Sequence, residues 1–170
     1  MKTNVFLAAI LAAPMAFAHI SVEPATAGAG AYQKLTFRVG HGCDGSATNG
    51  ITVLLPEGIA GAKPMPKPGW SIATVEGKLA VPAMSHGVAV TSAVRAVSWK
   101  GGPLPDAHYD EFSMQVKLPD TPGKLYFKVI QGCDKGRAEW TEQPDAAGAK
   151  MKFPAPVLEV VPAASHAHQH

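Results

Sequence analysis

Phe112-Ser113-Met114-Gln115-Val116-Lys117-Leu118 alternates apolar and polar residues without a break and stops at Pro119. A period of two is the pattern of a strand that buries one face. Working outward, Leu35-Thr36-Phe37-Arg38-Val39 repeats the alternation, and Ile51-Thr52-Val53-Leu54-Leu55 before Pro56 is a more apolar version. Ser71 to Val75, Gly87 to Val90, Ala93 to Trp99, Lys124 to Ile130 and Val157 to Val161 read as further strands. About eight to ten short strands with turn residues between them predict an all-β chain, a single antiparallel β-sandwich of immunoglobulin or fibronectin type. No segment keeps a helical period beyond two turns, and Ala146 to Lys150 forms a short helical turn at most. Pro64 to Gly69 and Gly101 to Pro105 read as rigid connections, because proline cannot donate to a ladder.

The first residues address the compartment. Lys2 is a short positive start, Val5 to Ala13 an apolar run too short to span a bilayer, and Ala16-Phe17-Ala18 an A-x-A cleavage site. The reading is a signal peptide over 1–18, an exported, periplasmic protein, and a mature chain that begins at His19. Taking 18 residues from 170 leaves 152, the size of one domain. That domain is expected over 19–162, with a disordered histidine-containing tail over 163–170. Without Lys2 the chain carries 14 basic and 13 acidic residues, so no basic surface for nucleic acid is expected.

Two cysteines occur, Cys43 and Cys133. In an oxidising compartment an isolated pair reads most simply as a disulfide. The competing reading is a pair of copper-binding thiolates.

His19 is the strongest site signal. A histidine at position one offers its α-amine and its imidazole Nδ1 to the same ion, closing a six-membered chelate ring. That donor set suits Cu(II), which prefers nitrogen and oxygen ligands in a tetragonal plane. His41, two residues before Cys43, is a candidate extra ligand or a hydrogen-bonded turn histidine. His86 and His108 stand in turn-like contexts and read as solvated. His166, His168 and His170 read equally as a weak metal tail or as a polar chain end. Met65, Met84, Met114 and Met151 are scattered, which disfavours a thioether site for Cu(I).

Several stretches in combination resemble the YcnI-like exported copper-binding domains. They are His19-Ile20-Ser21-Val22-Glu23-Pro24, Leu54-Leu55-Pro56-Glu57-Gly58, Lys67-Pro68-Gly69-Trp70, Ser98-Trp99-Lys100-Gly101-Gly102, Phe112 to Pro119, and Glu139-Trp140. The resemblance implies a β-sandwich that holds Cu(II) in a single-histidine brace. The brace maps onto His19, the carboxylate of the shell onto Glu139, and the tryptophan beside the metal onto Trp140. Glu23 is a rival carboxylate, although four extended residues span about 13 Å and a turn would be needed to bring it to the ion. Trp70 and Trp99 read as core aromatics. His41-Gly42-Cys43-Asp44-Gly45 and Gln131-Gly132-Cys133 resemble the Gram-negative branch. There a Cys43–Cys133 disulfide would set Glu139 and Trp140 beside His19.

The function expected is binding of copper in its homeostasis or delivery, not enzymatic turnover. Its partners would be the copper ion and another periplasmic copper chaperone or a membrane copper transporter. The alternatives are a copper oxygenase with two brace histidines, the second being His41, His86 or His108, and a metal-free structural β-sandwich.

Overall fold

The computed structural model describes residues 19–163. The signal peptide expected over 1–18 and the histidine tail from residue 164 onward lie outside the described residues. The described chain is all strand and turn. In order it forms β1 (Ser21–Glu23), β2 (Thr26–Gly28), β3 (Tyr32–Val39), β4 (Thr48–Leu54), β5 (Ala60–Pro64) and β6 (Trp70–Ser85). Then come β7 (Val88–Leu104), β8 (Asp110–Lys117), β9 (Gly123–Tyr126), β10 (Lys128–Cys133), β11 (Arg137–Trp140) and β12 (Val157–Val161).

One sheet has the order β1-β3-β8-β5 and a second the order β11-β10-β4-β7-β6. The alternating residues named above face inward. Leu35, Phe37 and Val39 of β3 and Phe112, Met114 and Val116 of β8 are buried. So are Ile51 and Val53 of β4, Val97 and Trp99 of β7, and Val129 of β10. These side chains make one core, with Phe37 edge-on to Phe127 at 5.4 Å and Trp99 edge-on to Phe112 at 5.7 Å. Trp70 is only partly buried, against Phe112 at 4.9 Å. A third, small sheet has the order β2-β12-β9. Its β2–β12 pair is parallel, an exception to the antiparallel rule expected throughout.

Several strands differ from the sequence reading: Val88 to Val90 and Ala93 to Trp99 belong to one strand, β7, and Ser71 to Val75 opens the longer β6. Gly101 to Leu104 continues β7, where a connection was expected, because the glycines adopt the positive φ angles that let the strand pass Trp70 at close range. The run Lys124 to Ile130 is split at Phe127, which leaves one sheet for the other. The short strands β1, β2, β5 and β11 carry too few residues to show a period.

Candidate metal centre

His19 sits at the head of the strand that becomes β1. Ser21 pairs with Arg38, Val22 with Phe37 and Glu23 with Thr36. Continued outward by two residues, that register sets His19 opposite Gly40, the neighbour of His41. Ile20 and Val22 are buried, while His19 is exposed. The alternation therefore anchors the strand and leaves its first side chain free to turn.

Two histidines flank one tryptophan. The His19 ring is edge-on to Trp140 at 5.9 Å, and the His41 ring is edge-on to the same indole at 6.0 Å. Trp140 is itself 1% exposed and walled on another side by Phe153 at 5.2 Å. The fold thus places the Trp140 indole beside the His19 ring.

A buried amide holds the group in place. Gln131 is fully buried. Its carboxamide oxygen accepts the Trp140 indole N–H at 3.0 Å, and its nitrogen donates to the His41 carbonyl at 2.7 Å and to the Thr48 hydroxyl at 2.8 Å. A buried amide with its partners met fixes one arrangement of the chains it joins. Gln131 occurs in a quoted stretch, but its role was not read from the sequence, since a lone glutamine carries no spacing signal.

The disulfide Cys43–Cys133 closes beside it, with Cα atoms 6.0 Å apart and 90 residues between them in the chain. The loop that carries His41 is thus tied to the end of β10. Asp44 and Gly45 both have positive φ, and Cys43 and Ser46 exchange backbone hydrogen bonds. This is the two-residue turn that Asp-Gly favours. Gly42 must lack a side chain, since an added Cβ would lie 1.8 Å from the Ser46 carbonyl oxygen. The Gly42 N–H is capped by Asp106 at 2.8 Å, a second positioning residue that had no sequence signal.

The carboxylates lie elsewhere. Glu139 precedes Trp140 on β11 and projects from the opposite, exposed face, where it pairs with Arg137 at 2.7 Å. Residues adjacent on a strand point apart, so the Glu139-Trp140 pair does not bring both side chains to His19. Glu23 stays on extended β1, without the turn it would need, and pairs with Arg38 at 2.7 Å. His86 stacks on Tyr32 at 5.3 Å at the tip of the β6–β7 hairpin, and His108 is an exposed turn residue. Among the described residues no three His, Cys, Asp or Glu side chains converge as a ready metal cage. A surface depression lined by Val81, Met84, Leu118 and Pro122 involves none of the candidate site residues.

The model of a family described as a domain of unknown function, DUF1775, matches residues 19–160. The chain belongs to the DUF1775 family. This is the domain of the YcnI-like proteins that the sequence stretches resemble, and the DUF1775 match begins on His19 itself. A crystal structure described as an uncharacterized protein from Nocardia farcinica with an immunoglobulin-like fold is similar to this DUF1775 chain. It superposes with a TM-score of 0.62 at 26% identity, covering 84% of this chain and 97% of that one. Comparison with curated proteins gave no match.

Proposed function

We propose that this DUF1775 domain is an exported, periplasmic protein that holds one Cu(II) at His19, in copper homeostasis or delivery, and that it is a binding module and not an enzyme. The observation that carries the reading is the seating of His19: an exposed histidine, edge-on to the buried Trp140. Once the leader is cleaved after Ala18, that residue has a free amine and a free imidazole. Two nitrogens from one residue explain how a site can exist without three converging side chains. Copper is the fitting cargo, because nitrogen donors rank it above the other divalent ions of the first row. The start of the family match at His19 also supports this residue as the head of the domain. The geometry supports the imidazole beside Trp140, while Glu139 and Glu23 are each engaged with an arginine. Partners that receive the ion would be a second periplasmic copper chaperone or a membrane copper transporter.

The test is a Cu(II) titration of exported protein whose first residue is verified as His19, beside the same protein with one glycine ahead of His19. The reading expects one tight Cu(II) in the first and a large loss in the second, where an amide replaces the amine. Deleting Ser165 to His170 should remove only weak additional metal. Equal binding with and without the extra glycine would overturn the brace. No binding to either would leave a metal-free sandwich, and oxygen turnover with a reductant would return the enzyme reading.

A further inference from the structure

We infer that His41 supplies a third nitrogen, its Nε2, to the metal held by His19; this rests on the function proposed above. The His41 Nδ1 lies 2.6 Å from the Gly42 carbonyl oxygen. A carbonyl only accepts, so Nδ1 carries the proton of the neutral ring and Nε2 carries the lone pair. This is the arrangement in which a backbone carbonyl orients a ligating histidine. That Nε2 is shut off from solvent and, among the described residues, has no hydrogen-bond partner. Buried polar atoms nearly always have partners, and an exception calls for an explanation such as an absent ion.

The surroundings keep this lone pair unpaired, on a ring that packs against the same indole as His19. The β1–β3 register, extended two residues past Ser21↔Arg38, points His19 toward Gly40, and both rings lie within 6.0 Å of the Trp140 indole. Gln131 grips the His41 carbonyl, Asp106 caps Gly42, and the disulfide closes two residues further on. These contacts fix the backbone of the loop, and the Nδ1–Gly42 hydrogen bond sets the ring upon it. His19, exposed and first in the mature chain, is the side chain that turns to complete the set. Amine, imidazole and second imidazole then give Cu(II) three nitrogens of a tetragonal plane.

The experiment counts imidazoles on Cu(II) by pulsed electron paramagnetic resonance, using protein exported from the full-length chain. The wild type should show two coupled imidazoles and His41→Gln one. The affinity of His41→Gln should fall by at least the about 10–100-fold that losing a ligand's supporting partner costs. Tight copper with a single imidazole in the wild type overturns the role of His41 and leaves His19 standing. Two imidazoles persisting in His41→Gln overturn it as well. A wild type that binds no Cu(II) overturns the underlying reading. If His41→Gln does not fold, His41→Asn serves in its place, and a wild-type count of one overturns the role of His41 without either variant.

Discussion

Gln131 accepts the indole N–H of Trp140 at 3.0 Å in the interior of the sandwich. The other end of the same carboxamide holds the backbone of His41. One side chain therefore sets the distance between the wall of the candidate site and the loop beside it. Gln131→Leu keeps the volume but strands the indole N–H and the His41 carbonyl. The expected cost is about 2–6 kcal/mol, since each of the two buried groups left unpaired costs about 1–3 kcal/mol. Urea denaturation of metal-free protein measures it, and a loss below about 0.5 kcal/mol would show that the network carries no strain-free preference.

Cys43 and Cys133 are joined in the fold. Exported protein, denatured without reductant, should present no thiol to an alkylating agent. The double change Cys43→Ser, Cys133→Ser should destabilise by about 4 kcal/mol, because the bond closes a loop of this length in the unfolded chain. Two titratable thiols in unreduced protein would contradict the pairing and revive a thiolate site.

Trp140 is expected to report the metal. Cu(II) at His19, whose ring is 5.9 Å away, should quench the Trp140 share of the fluorescence. Trp140→Phe should keep the copper stoichiometry and lose that part of the quenching. It should also cost about 1–3 kcal/mol, since the Gln131 oxygen loses its donor. Quenching of equal depth in Trp140→Phe would place the ion near another tryptophan.

Glu139 pairs with Arg137 on the exposed face of β11. Glu139→Gln should change stability by no more than about 1 kcal/mol, the range of exposed ion pairs. Copper affinity should stay within a few-fold of the wild type. A drop comparable to that of His19→Ala would show that the carboxylate swings round the strand edge to reach the ion.

Acid should release the copper. Protons and Cu(II) compete for the same nitrogen lone pairs, so affinity falls as pH falls. With the amine and two imidazoles in the shell, more than one proton is taken up per ion lost, and titrations at several pH values give that slope. An affinity independent of pH across the acid range would exclude these donors.

The strand pattern was legible in the chain because alternation records burial directly. Phe112, Met114 and Val116 are apolar for the same reason that they are buried. The cysteine pair and the prominence of His19 and Trp140 were legible too, the first from compartment chemistry and the others from position and resemblance. The face Glu139 takes was not legible, because neighbours in sequence point apart on a strand and β11 is too short to announce itself as one. Gln131, Asp106 and the state of His41 depend on contacts between segments 64 to 90 residues apart. No local pattern encodes such contacts. By itself the sequence determined which residues face inward and singled out His19 and Trp140. Only the tertiary structure decided which side chains meet at His19. Packing two sheets across one core, not spacing along the chain, brings Trp140 and His41 to the head of β1.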